Sequence, residues 1–181
     1  MVEIKLPEAK PAFEWVNGRA LQKVSPRHRH GLAQMRFAAA LDAWTNTRRS
    51  GTVATEWRFH IQPAGEIRRP LVPDVAFLSY ARLPYKAMLR IDEPRMAPDA
   101  VVEVRSIADR KADIEEKVRV YLSAGTHVVF LVDPLRRTVT VRDAKGITVL
   151  HERDAVVHHS LRGFRMPASD LFALVKPKRK K

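Results

Sequence analysis

The chain has 181 residues, with 33 Lys and Arg against 20 Asp and Glu and a formal net charge of +13. That length suits one domain able to bury its own core, and 45% hydrophobic with 29% charged residues excludes a disordered chain. The absence of Cys excludes disulfides, thiolate nucleophiles and Cys-ligated zinc, while the positive charge points to a polyanion as partner or, in the plainer reading, to solubility alone.

The N-terminus "MVEIKLPEAKPAF" has no apolar core of signal-peptide length, and the longest apolar run, "VVFLV" at 128–132, is too short to span a bilayer. A soluble, cytoplasmic protein with no membrane partner is expected. "FEWVNGRALQKV" alternates around Asn17-Gly18 and predicts a hairpin. "SPRHRHGLAQMRFAAALDAWTNTRRSG" predicts the first long helix, with Ser25-Pro26 as N-cap and first turn, an apolar stripe of Leu32, Met35, Ala39 and Ala43, and an end at Gly51.

"TVATEWRFHI" alternates as a half-buried strand, with Val53, Trp57, Phe59 and Ile61 on one face and Glu56, Arg58 and His60 on the other. "PLVPDVAFLS" at 70–79 and "DAVVEVRS" at 99–106 predict two more strands, joined by a Pro-bearing connection with room for one helical turn. "ADRKADIEEKVRVYLSAG" predicts the second helix, with Asp109 as N-cap, Ile114, Val118, Tyr121 and Leu122 as its stripe, and Gly125 as C-cap. "THVVFLVDP" reads as a strand buried on both faces, "TVTVRDAKGITVL" as a hairpin, and "FRMPASDLFALV" as a strand end and short helix. The order helix, three strands, helix, strand gives an α/β core, in which the strand before the crossover helix runs parallel to the one after it.

Asp74 and Glu103 are the acids inside predicted strands that most need a partner. Alternation places Asp74 with Ala76 and Leu78, and Glu103 with Val101 and Arg105, so in adjacent strands the two carboxylates can share a face. Paired carboxylates in a partly buried place repel one another unless a positive charge lies between them, and Mg²⁺ or Mn²⁺ suits oxygen ligands of this kind. The plainer reading has Asp74 capping the turn after Pro73 and Glu103 paired with a neighbouring Arg. Histidines 28 and 30 open the first helix, placed either for phosphate contact or simply in solvent. No His pair has zinc spacing, and no Ser lies in a nucleophile elbow. The terminal "KPKRKK" carries five cations in six residues and is expected to be a disordered tail over 176–181, following a single domain over 1–175.

Taken in order, "FEWVNGR", "SPRHRHG", "VPDVAFLS", "VVEVRS" and "EEKVRVYLSAGTHVVFLVDP" resemble the Uma-type family of putative restriction endonucleases, a branch of the PD-(D/E)XK nuclease superfamily. The resemblance runs over roughly residues 13–173. It implies a restriction-endonuclease-like αβββαβ core, a mixed central sheet flanked by helices with added β-hairpins, and a metal-dependent phosphodiesterase site. Pro73-Asp74 matches the PD element and Glu103 the acid of the (D/E)XK element. The chain departs from the pattern at the Lys two residues later, where Arg105 stands. Arg keeps its proton and makes planar, forked contacts, so it can stabilise phosphate charge but accepts protons poorly. In the resembling family a Lys on the following helix is the replacement, and Lys117 matches it, at the edge of the helix stripe. Its alternative is a flank residue paired with Asp113. The resemblance supports Glu56 as a carboxylate at the site edge, the alternative being a pair with Arg58 or a surface Lys.

These readings predict a Mg²⁺-dependent DNA endonuclease, with Mn²⁺ as substitute. Asp74, Glu103, the Val104 carbonyl and Glu56 would hold the metal, Lys117 or Arg105 would neutralise developing charge, and DNA and a homodimeric copy are the partners to look for. The rivals are a noncatalytic nucleic-acid-binding protein that keeps the fold, and an interaction module in which the carboxylates are strand-end residues.

Overall fold

A computed structural model describes residues 3–174. The tail expected over 176–181 lies outside the described residues. A six-stranded mixed sheet in the order β10-β9-β8-β7-β6-β3 forms the centre, built from β3 (Gly51–Thr55), β6 (Val75–Ser79), β7 (Ala100–Val104), β8 (Val128–Asp133), β9 (Thr138–Asp143) and β10 (Gly146–Leu150). β7 and β8 are parallel, as the crossover requires, and the other pairs are antiparallel.

Successive strand side chains point to opposite faces, so each apolar strand feeds two cores. One face carries Val75, Phe77, Val102, Val104 and Phe130 and is covered by α1 (His28–Arg48). Phe37 is fully buried there, 5.2 Å from the Phe130 ring, and Trp44 packs edge-on against Phe77 at 5.2 Å. Burying a side chain of this size stabilises the fold by about 1.5–3 kcal/mol. The opposite face carries Ala76, Leu78, Val101, Val129 and Leu131 and packs against Val118 and Tyr121 of α3 (Lys111–Ser123). Val16 of the hairpin β1 (Phe13–Val16) and β2 (Arg19–Gln22) joins that second core, as do Phe59, Ile61 and Leu71 of the ribbon β4 (Phe59–Ile61) and β5 (Arg69–Leu71). The one-turn helix α2 (Tyr85–Met88) lies in the Pro-bearing connection. β11 (Ala155–Val156), β12 (Met166–Pro167) and a 3-10 turn (Ala168–Leu171) close the chain, the last where a short helix was expected.

The first hairpin turns at Asn17 and Gly18, whose φ of 48° and 70° are the pair of positive values a two-residue turn matched to strand twist demands. Gly125, expected as the cap of the second helix, follows α3 with φ 95°. Other expectations are corrected. Ser25 does not cap α1: the helix begins at His28, and Arg27 occupies the cap position without a side-chain bond. The buried stripe of α1 is Ala33, Phe37, Leu41 and Thr45, while Met35 is 57% exposed, because the bulky Phe37 and Trp44 rather than the run of alanines orient the helix. Asp109 closes the preceding turn, accepting from Ser106 N at 2.7 Å and Oγ at 2.9 Å, and Arg110 takes the cap position of α3.

Two predicted strands are each broken in two. The segment 52–61 bends at Glu56, whose φ of 51° leaves the extended region, so β3 stays in the main sheet and β4 leaves for the ribbon. The segment 70–79 breaks between β5 and β6 at Val72-Pro73-Asp74, where Pro73 has no N–H to give to a ladder. Both breaks meet at Lys23, whose Nζ reaches Glu56, Asp74 and the Val72 carbonyl. No described helix is long and apolar enough to cross a membrane.

Candidate active site

The register Val75↔Val102 between β6 and β7 sets the preceding Asp74 opposite Glu103, on the face covered by α3 and the first hairpin. Both acids line a cavity of about 120 Å³ at the carboxyl end of β7, the end of an α/β sheet where ligands commonly bind. Asp74 is buried. Its Oδ1 accepts from Lys23 Nζ at 2.6 Å, and its Oδ2 accepts from the Val104 N–H at 2.7 Å and lies 3.3 Å from His30 Nε2. Lys23 leaves β2 and also donates to the Val72 carbonyl at 2.8 Å and reaches Glu56 Oε2 at 3.0 Å. Gln34 of α1 donates to Glu56 Oε1 at 2.9 Å and to the Asp74 carbonyl at 3.0 Å, fixing the bend beside the acid.

A second bridge stands next to the first. Lys117 Nζ donates to Glu103 Oε2 at 2.7 Å and to Glu14 Oε2 at 3.0 Å. Tyr121 donates its hydroxyl to Glu103 Oε1 at 2.9 Å, and the Val72 N–H binds Glu14 Oε1 at 2.7 Å. Each lysine therefore spans two carboxylates, and four acids face two ammonium groups.

The electrostatics separate the two central acids. Burial alone would raise Asp74, but the Lys23 ammonium and His30 outweigh it and hold its carboxyl well below the usual carboxylate range. Burial raises Glu103 to about 7, against the pull of Lys117 and with the help of Asp74 and Glu14. Burial would lower both lysines, but the surrounding carboxylates reverse this and raise them above their ordinary value. Burial, then Glu103, pushes the Tyr121 phenol well above its ordinary value. His30 is raised in spite of its burial, chiefly through Asp74.

Of the residues expected from the sequence, Asp74, Glu103, Val104, Arg105 and Lys117 share the cavity wall. Lys117 pairs with Glu103 rather than Asp113, whose carboxylate is taken by Asn17 and Arg19 of the hairpin. Arg105 lies 3.4 Å from Asp133 Oδ2 instead of pairing with Glu103. Glu56 lies at the edge, held by Lys23 and Gln34, while Arg58 pairs with Glu8 and Glu93. The two histidines divide, His28 exposed and His30 half-buried beside Asp74.

Glu14 and Lys23 were not anticipated. Glu14 had a legible signal, since it shares the inward face of β1 with Val16 and is only 3% exposed, and a carboxylate on an apolar strand face needs a partner. Lys23 had none, because it follows the last strand residue of the hairpin and only the fold turns it inward.

An all-oxygen set of Asp74, Glu103 and Glu14, in excess over the lysines, has the chemistry of a hard divalent cation site. His30 Nδ1 and Arg105 Nε, both on residues of the cavity wall, are buried without a partner, which leaves polar capacity for a ligand. Elsewhere, Asp143, His158 and His159 bring ligand atoms within 4.8 Å of one another. There His158 Nε2 is hydrogen-bonded to Asp143 at 3.0 Å and its Nδ1 to Ser160 at 2.7 Å, while Asp143 Oδ1 accepts from the Lys145 and Gly146 N–H groups, so two of the three already have partners.

Residues 4–168 match the Uma2 family model, described as a putative restriction endonuclease. Among solved structures, a putative nuclease belonging to DUF820 from Anabaena variabilis ATCC 29413 matches with a TM-score of 0.81 and 24% identity, covering 92% of this chain and 93% of that one. No curated protein matches the chain. That structural likeness establishes the restriction-endonuclease-like fold and leaves activity to the site. The family match covers nearly the whole chain, and on that ground the protein belongs to the Uma2 family of putative restriction endonucleases.

Proposed function

We propose that the protein is a Mg²⁺-dependent DNA endonuclease, with Mn²⁺ as a working substitute, acting through a PD-(D/E)XK-type site in which Asp74, Glu103 and Lys117 are central. The observation that carries this reading is the pair of lysine-bridged carboxylates in one cavity at the end of the sheet. Asp74, Glu103, Glu14 and the Val104 carbonyl would hold the cation, with Glu56 at the edge. Bound there, a hard divalent cation supplies Lewis acidity toward phosphate and a bound water of lowered pKa.

The chain's own groups do the rest. Lys117 orients the Glu103 and Glu14 carboxylates and brings a donor to where an attacking water sits. Arg105 supplies a planar, forked donor for a phosphate oxygen. Buried donors aimed at developing charge stabilise it far more than the same groups do in water. Tyr121 and the Val104 N–H each restrain one acid, so the carboxylates meet a substrate already oriented.

A noncatalytic nucleic-acid-binding protein is the second reading. It is favoured by one observation: Arg105 stands where the superfamily has Lys, while lysine ammonium groups already compensate the acids. Incubating purified protein with supercoiled plasmid and Mg²⁺ or Mn²⁺ separates the two. Nicked and linear products that vanish in Asp74→Asn and Glu103→Gln support hydrolysis. Binding without products in either metal supports the second reading.

A further inference from the structure

Beside the acidic cavity lies another of about 390 Å³, formed by the segment entering α1, the loop after β7 and the turn after β8. Val24, His30, Arg105, Ser106 and Ala108 line both, so the two adjoin. Two chemistries alternate in its walls. Arg27, Arg29 and Arg105 bring guanidinium groups, while Val24, Ile107 and Leu135 are aliphatic and 61%, 69% and 57% exposed. A run of cations alone reads as a solvated face. Three exposed aliphatic side chains set among them form an apolar patch with a polar rim, which marks a binding surface.

A nucleic-acid strand carries both complements, since its phosphates suit guanidinium and its base faces, once unstacked, suit apolar side chains. In a duplex those base faces are stacked away. A cavity of about 390 Å³ falls in the range that takes a nucleotide-sized ligand and is far too small for a duplex. The unpartnered His30 Nδ1 and Arg105 Nε lie on two of the residues shared by both cavities, where a strand passing from one to the other would present its phosphate.

We infer that this groove binds a single-stranded DNA segment running on from the scissile phosphate, with phosphates on Arg27, Arg29 and Arg105 and an unstacked base against Val24, Ile107 and Leu135. The inference rests on the nuclease reading of the adjoining cavity and adds the substrate class: DNA with an unpaired segment, such as single strands, flaps, overhangs or the locally opened strands of a supercoiled plasmid, rather than relaxed continuous duplex.

The test is fluorescence anisotropy with the full chain in EDTA, which separates binding from cleavage. It uses one labelled oligonucleotide as a single strand, the same sequence as a duplex, and the RNA equivalent. The parent is expected to bind the single strand at least tenfold more tightly than the duplex at equal salt. The Ile107→Ser, Leu135→Ser double variant changes only exposed side chains and should keep the parent's melting temperature. It should lose about tenfold in single-strand affinity and less than twofold for duplex. The Arg27→Ala, Arg29→Ala variant should flatten the single-strand salt slope by roughly 0.7 for each phosphate that no longer meets an arginine. Equal affinity for single strand and duplex, no binding of either, or an unchanged double variant overturns the groove, and a preference for RNA overturns the assignment to DNA. A parent that cuts nothing with any metal yet shows this pattern loses the hydrolytic reading and keeps the groove. One that cuts duplex and binds both forms alike keeps the hydrolytic reading and loses the groove.

Discussion

Lys117 of α3 and Glu14 of β1 are 103 residues apart in the chain and meet at 3.0 Å, with Glu103 on the other side of the same ammonium at 2.7 Å. One lysine thus ties the N-terminal hairpin to the central sheet through the site. Breaking a buried bridge strands its partners, at a cost of about 3–5 kcal/mol, so its effect on activity must be read beside its effect on folding.

Lys117→Ala is expected to lower metal-dependent cleavage a hundredfold or more, the contribution typical of a positioned catalytic group, and to lower the melting temperature. Arg105→Ala should lower cleavage by no more than that, and Arg105→Lys should retain or raise it. Plasmid nicking rates below the melting point of each variant decide the matter. A fully active Lys117→Ala beside a dead Arg105→Lys would make Arg105 the essential cation.

In the proposed site Lys23 and a divalent cation would compete for Asp74, because Lys23 Nζ already lies 2.6 Å from Asp74 Oδ1 and 3.0 Å from Glu56 Oε2. Lys23→Met keeps most of the side-chain volume and removes the charge. Titration calorimetry should then show Mn²⁺ binding at least tenfold tighter than in the parent, with reduced stability in EDTA. Weaker Mn²⁺ binding would mean that Lys23 supports the cation site instead of opposing it.

Glu103 gives the pH dependence. Its carboxyl is raised from 4.5 to about 7 in the fold, so the folded state holds this proton more tightly than the unfolded chain does. The resulting stabilisation is full below about 4.5 and lost as pH rises through about 7. In EDTA the parent should therefore lose stability relative to Glu103→Gln across that window, by on the order of 1–3 kcal/mol. Mn²⁺ binding must displace the same proton, so affinity should climb with pH up to about 7 and level off above it. Denaturant melts and calorimetry at several pH values measure both. A parent-to-variant difference that stays flat with pH places the titration elsewhere.

The charge excess predicts the salt dependence of the proposed binding to DNA. With a net charge of +13, affinity should fall linearly in log affinity against log salt. Removing residues 176–181 should reduce the slope without abolishing binding. Affinity independent of salt between about 50 and 200 mM would rule out phosphate contacts as its source.

Much of this architecture is written in local patterns. Asn17-Gly18, the alternation of 99–106, the apolar run of β8 and the glycine after α3 each follow from turn chemistry or side-chain period, which act over a few residues. The same period places Asp74 and Glu103 on one face, and the departure at Arg105 is legible only against the motif of the resembling family. Periodicity fails where the chain changes direction within an apolar run. At Glu56 and at Val72-Pro73-Asp74 the alternation continues into a different sheet, and in α1 many alanines blur the stripe that Phe37 and Trp44 define. Only the tertiary structure could bring Glu14 and Lys23 into the site and seat His30 beside Asp74. Those choices depend on which charges are buried together, and burial is set by elements up to 103 residues apart whose packing no local pattern encodes.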